Sequence, residues 1–373
     1  MEGSWNVDRS SDVPEEPVQV LSVDGQPIDG YEPDLSDETL RGMYADMRLY
    51  RRFDERAISL QRQGRIGTYA SLAGQEATQV GSTYALAADD WIAYQYREHG
   101  AVLSRGEIES YLTYWMGHEA GNAALADINV FPLNISIGSH IPHVTGMGMA
   151  ARYRGDDAVF CCHFGDGATS EGDFHEGLNF AGVFDTPTVF VCHNNRWAIS
   201  VPRELQTASP TIAGKAAAYG FAGVQVDGMD PLAVYEVTRQ AVRKARAPSD
   251  EQRRPTLIET LTYRYGAHTT ADDPSVYREE SEVEAWRAKD PIDRLERYLR
   301  ETGRLDDERI DAIETRVEER VADAVDAAES FESDPEAMFE YVYDEPTDRL
   351  EEQRTGFEEL RERYGDETLT RDE

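Results

Sequence analysis

Lysine is almost missing from this 373-residue chain: Lys215, Lys244 and Lys289 are all it has. Acidic residues number 72 against 37 basic ones, for a formal net charge of −35. So large an acid excess argues against nucleic-acid or anionic-membrane binding, since both require a cationic surface. Acid spread along the whole chain with so little lysine predicts a protein kept soluble in concentrated salt. There the Debye length shrinks to about 3 Å at 1 M and self-repulsion is screened. Cysteine is also sparse, with only Cys161, Cys162 and Cys192 and no C-x-x-C spacing. Buried free thiols in a reducing compartment fit that pattern better than disulfides or metal ligands. No apolar run is long enough to span a bilayer. The opening MEGSWNVDRSSDVPEEP lacks a cationic stretch followed by an apolar one, so no signal peptide is expected. A soluble, cytoplasmic protein is the expectation.

What is present has the rhythm of an α/β protein. Residues 1 to 16 are polar and expected to be disordered, and VQVLSVDGQPI alternates around an Asp-Gly turn, which predicts a small hairpin arm. Ser36 precedes a long amphipathic pattern and is the expected helix cap. From about 75 to 265, helical patterns alternate with the short apolar runs WIAYQY, AVFCCHF, PTVFVCH, GVQVDG and TLIETLTYR. That alternation predicts a parallel sheet with helices on both faces. The expected divisions are an arm over 1–36, an α/β domain over 37–345, and an acidic helical tail over 346–373.

One stretch demands chemistry. VFCCHF runs into Gly165-Asp166-Gly167, and a helical pattern follows with Ser170 as its expected cap. The next apolar run ends at Asn194-Asn195. A right-handed crossover would bring both carboxyl ends to one sheet edge, where open α/β sheets bind ligands. Asp166 offers a carboxylate oxygen, Asn195 an amide oxygen, and an irregular loop beyond it can turn in a carbonyl. Three such oxygens suit magnesium, which keeps its other positions for phosphate and water. The flanking glycines permit close approach of backbone to phosphate.

The GDG and NN pair, with a helix between, resembles the diphosphate signature of thiamine-diphosphate enzymes. GTYASLAGQEATQVGS, YQYREHGAVLSRG, ISIGSHIPHVTG, CHNNRWAIS and YGAHTTADDP extend the likeness. Together they resemble the alpha subunit of the decarboxylating component of 2-oxo acid dehydrogenase complexes, nearest to its bacterial pyruvate type. The resemblance implies that Asp166, Asn195 and the carbonyl of Trp197 bind Mg2+. It implies that Tyr96 and Arg97 contact the diphosphate of thiamine diphosphate, with Gly167 and Ala168 completing the loop. Ile135 and Ile137 would meet the pyrimidine, and Tyr69 and Ser71 would begin the substrate pocket. His268 would be the active-site histidine, moving protons with a pKa near neutrality. Thr269 stands beside it, which puts regulation by the relatives' phosphoserine in doubt. His118 has no assigned role.

The implied activity is oxidative decarboxylation of pyruvate, or of a branched-chain 2-oxo acid, with acyl transfer to a lipoylated acyltransferase component. The chain carries only one diphosphate signature. The resemblance therefore implies a separate beta subunit in an α2β2 heterotetramer, without which the chain is inactive. Two other readings are a Rossmann-type nucleotide binder and a cofactor-free scaffold subunit. GDGATSEG lacks the third glycine of G-x-G-x-x-G, which disfavours the first. The intact Asp166, Asn195, Arg97 and His268 disfavour the second.

Overall fold

The computed structural model describes residues 16–369 except 107, 251, 333 and 341. The stretch 1–15, expected to be disordered, lies outside the described residues. Contacts divide the chain into one unit ending at Glu329 and another beginning at Ser330. That division comes earlier than the expected one after residue 345.

All five apolar runs become strands of one sheet: β1 (Trp91–Ala93), β2 (Phe160–Gly165), β3 (Thr188–Asn194), β6 (Ala222–Asp227) and β7 (Thr256–Leu261). Their order is β1-β2-β3-β7-β6, and every pairing is parallel. A two-stranded hairpin, β4 (Trp197–Ala198) with β5 (Val201–Pro202), stands apart from it. Residues along β3 alternate between two cores: Val189 and Val191 pack in one, Phe190 and Cys192 in the other. That is the period of two expected of a strand buried on both faces. Helices His140–Arg154 and Gly172–Phe184 cover one face through Ile141, Val144, Phe174 and Leu178. Helices Asp37–Arg62, Glu76–Tyr84 and Pro231–Arg246 supply the other core, with Met43, Val80 and Val234. The three cysteines are buried free thiols.

Local signals act mostly as expected. The Ser36 hydroxyl accepts the Thr39 N–H at 3.0 Å and caps the long helix. The arm turns at Gly25, whose φ of 81° suits glycine, and Ser22 N–H donates to the Gln26 carbonyl. Asp230 then ties the arm down, accepting the N–H groups of Val20 and Leu21 at 2.9 and 2.7 Å. Ser170 does not cap its helix. A 3-10 turn consumes Asp166–Ser170, and the helix begins at Gly172 after an extended Glu171. No described helix is long and apolar enough to cross a membrane.

The second unit holds the helices Ala337–Glu340, Asp348–Tyr364 and Asp366–Leu369. Thr347 caps the longest of them through the Leu350 N–H. The ring centroids of Phe339 and Phe357 lie 5.7 Å apart, an apolar contact within this unit.

Candidate active site

Parallel strands deliver their carboxyl ends to one edge, and four of them supply this site. Tyr96 and Arg97 follow β1, Asp166 follows β2, Asn195 follows β3, and Arg264 and His268 follow β7. All of these line one cavity of about 440 Å³, together with Ile137, Gly167, Ala168 and Trp197.

One corner is built of oxygen. Asp166 is 1% exposed, and burial pushes its carboxyl up to about 6. The Gln206 hydrogen bond opposes that shift, and Asn195 lines the same cavity as Asp166. Gln206 Nε2 donates to Oδ2 of Asp166 at 3.0 Å, while the buried Oδ1 has no hydrogen-bond partner. An ionised oxygen left bare in low dielectric is costly unless a cation joins it. Asn195 donates Nδ2–H to Gln75 Oε1 at 3.0 Å, while its Oδ1 accepts the Trp197 N–H at 3.3 Å. The backbone here is strained: Arg196 has φ 77° and the β-branched Ile199 has φ 55°. A Cβ at Gly167 would come 3.0 Å from Cβ of Ala198, so glycine lets the aspartate loop meet the hairpin. Among the described residues no cluster of His, Cys, Asp and Glu could itself hold a metal. The oxygen set of Asp166, Asn195 and nearby carbonyls fits a hard cation.

The opposite corner is built of nitrogen. Arg97, 4% exposed, donates through Nη1 to the Ser71 carbonyl at 2.6 Å. Its Nη2 donates to His268, reaching Nδ1 at 3.1 Å and the carbonyl at 2.5 Å. Arg264 adds a second donor to the same Nδ1 at 3.3 Å. A guanidinium only donates, so Nδ1 is the acceptor and Nε2 carries the proton. Burial and the two neighbouring arginines push the imidazole down to about 4. The expected pKa near neutrality is thus not what this environment gives. Its cause is desolvation beside two positive charges. The loop is held from behind, as His268 N–H and Tyr277 O–H both donate to Asp272 Oδ2, at 2.7 and 2.5 Å.

The family model described as "Dehydrogenase E1 component" matches residues 44–336. The chain belongs to that family. Among its relatives is a "3-methyl-2-oxobutanoate dehydrogenase subunit alpha" of Mycobacterium tuberculosis, 44% identical over 346 residues. That alignment covers 91% of this chain and 92% of the relative. A "Pyruvate dehydrogenase E1 component subunit alpha" of Staphylococcus epidermidis and one of Staphylococcus aureus are each 40% identical over 342 residues, 91% of both chains.

Not every residue singled out in this E1 chain reaches the cavity. Tyr69 and Ser71 are buried outside its lining, because Asp54 claims them. Its carboxylate accepts Tyr69 O–H at 3.0 Å, Ser71 O–H at 2.5 Å and the Leu72 N–H at 2.8 Å. Ile137 lines the cavity, but Ile135 stands 61% exposed outside the lining. His118 is also outside it. Sequence reasoning missed Gln75, Glu98, Gln206 and Arg264. Glu98 lines the cavity and is pushed up to about 7 by burial. The Y-R-E triplet could have flagged it, whereas a lone glutamine such as Gln206 carries no local signal.

Proposed function

We propose that this chain is the alpha subunit of a thiamine-diphosphate-dependent 2-oxo acid dehydrogenase, and that its cavity grips the diphosphate through Mg2+. Asp166, Asn195 and the carbonyl of Trp197 are the proposed metal oxygens. The observation that carries this reading is the buried, unpartnered Oδ1 of Asp166, in the same cavity lining as Asn195 at the carboxyl edge of the sheet. Tyr96, Arg97 and the backbone of Gly167 and Ala168 would receive the phosphates, and Ile137 would pack against the cofactor's apolar part. When bound, thiamine diphosphate supplies the carbanion stabilisation that lets a 2-oxo acid lose its carboxyl group. His268 enters as a neutral imidazole whose Nε2–H is a hydrogen-bond donor, held by Arg97 and Arg264. Such a group orients and donates without first having to lose a proton at neutral pH.

Pyruvate is the proposed substrate, with acyl transfer to a lipoylated acyltransferase. A second reading, a branched-chain 2-oxo acid, is favoured by the 44% identity to the mycobacterial relative against 40% to the staphylococcal ones. The cavity mouth carries the apolar Ile199, Val201 and Leu205, exposed by 55%, 42% and 78%. Such a rim suits the proposed beta subunit, which would complete the cofactor site.

Titration of thiamine diphosphate into the chain paired with its beta subunit, with and without Mg2+, tests the site. Binding should require Mg2+, and Asp166→Ala should abolish binding whether or not Mg2+ is added. A panel of 2-oxo acids assayed on the pair separates the two substrates. Robust turnover by the chain alone would refute the beta requirement.

A further inference from the structure

Each of the two side-chain ligands proposed for the metal is held by a glutamine from a distant part of the chain. Gln206, beyond the hairpin, donates Nε2–H to Oδ2 of Asp166 at 3.0 Å. Gln75, immediately before the helix Glu76–Tyr84, accepts Nδ2–H of Asn195 on its Oε1 at 3.0 Å. The two contacts are chemically opposite and their results are alike. Gln206 occupies one carboxylate oxygen and leaves the other, Oδ1, buried and without a hydrogen bond. Gln75 takes up the amide nitrogen, which fixes the rotation of the Asn195 side chain so that its oxygen, which also accepts the Trp197 N–H at 3.3 Å, faces away from Gln75. Without that contact the amide could present nitrogen, which cannot ligate a hard cation.

We infer that Gln75 and Gln206 are positioning residues that orient Asn195 and Asp166 so that each presents one side-chain oxygen to a divalent cation. The inference rests on the metal site proposed above. Further support comes from the buried atoms around the pair. Gln206 Oε1 and Gln75 Nε2 are both buried without hydrogen-bond partners, and Gln206 lines the cavity beside Asp166. Buried amide atoms left bare are costly, so a purely structural pair of glutamines is a poor account of them. Outer contacts of this kind hold a metal's ligands in register, and their loss typically weakens metal binding 10- to 100-fold.

Gln206→Leu, Gln75→Met and Gln75→Glu test this in the full chain paired with its beta subunit. Gln75→Glu keeps the acceptor for Asn195, and Gln75→Met removes it. Two constants are read by calorimetry: the Mg2+ requirement at fixed thiamine diphosphate, and the cofactor Kd at saturating Mg2+. Thermal unfolding without metal checks that each variant is folded. Gln206→Leu and Gln75→Met should need about 10-fold more Mg2+ or higher. Their cofactor Kd at saturating Mg2+ should stay within about threefold of wild type, and Gln75→Glu should restore the metal response. An unchanged Mg2+ requirement in both glutamine-deleted variants overturns the inference. So does a cofactor Kd that stays weak at saturating Mg2+, since the amides would then serve the cofactor itself. If the wild-type pair binds thiamine diphosphate equally without any divalent cation, the metal site itself fails, and that outcome is distinct from the other two.

Discussion

Arg97 and His268 are joined twice, because one guanidinium nitrogen donates both to the ring Nδ1 at 3.1 Å and to the carbonyl at 2.5 Å. The arginine therefore fixes the ring's tautomer and opposes its protonation. Burial adds to that effect, and the imidazole sits at about 4 instead of its ordinary 6.5. A depressed histidine contributes stability that is complete above pH 6.5 and is lost as pH falls through about 4. In a histidine-labelled sample, the His268 ring signal should stay neutral down to about pH 5. Arg97→Met should move its midpoint upward. A wild-type midpoint at 6.5 or higher would contradict the electrostatic account.

Asp54 anchors the segment that carries the Arg97 contact. It accepts three hydrogen bonds from Tyr69, Ser71 and Leu72, and the Ser71 carbonyl receives Arg97. Removing it leaves buried donors bare, at about 1–3 kcal/mol each. Asp54→Ala should therefore cost about 3 kcal/mol or more in urea unfolding and weaken cofactor binding as Arg97 loosens. Burial raises the Asp54 carboxyl to about 6 from 3.8, against the pull of those donors. Its contribution is full below about pH 4 and is lost as pH rises through 6. Asp54→Asn, which cannot ionise, should flatten the stability profile between about pH 4 and 6.

Ile199 holds a left-handed backbone at φ 55° while exposing 55% of its surface. Its carbonyl accepts Arg264 at 2.9 Å, which ties the hairpin to the His268 loop. A branched residue in this region costs about 1–2 kcal/mol, and glycine returns part of the gain as entropy. Ile199→Gly should raise stability by about 0.5–1 kcal/mol in thermal unfolding and lower activity as the rim loses its apolar cover. A loss of stability would show that the strain is offset elsewhere.

A net charge of −35 also sets an expectation for salt. Self-repulsion among unscreened carboxylates opposes the compact state, and salt removes it. The unfolding midpoint should climb steeply between 0.1 and about 2 M KCl. An unchanged midpoint over that range would remove the reading of a protein suited to concentrated salt.

Much of the fold was legible because its signals are local. Five apolar runs gave five parallel strands, and Ser36 gave a capped helix. The cap expected at Ser170 failed because the chain after Asp166 first winds a 3-10 turn, which a capping pattern does not distinguish from a helix start. The aspartate and asparagine loops were legible for a topological reason: a helix joins adjacent parallel strands, so both loops must reach one edge.

Residue order alone therefore determined an acidic α/β chain with an oxygen-rich corner at one sheet edge, since charge, apolar period and crossover spacing are written locally. Only the tertiary structure decided that Asp54 withdraws Tyr69 and Ser71 from the cavity, that Gln75 and Gln206 hold the corner's two side chains, and that His268 is neutral. The physical reason is that burial and long-range hydrogen bonds depend on which segments meet. Arg97 and His268, or Gln206 and Asp166, become neighbours only once the sheet has brought its edge loops together.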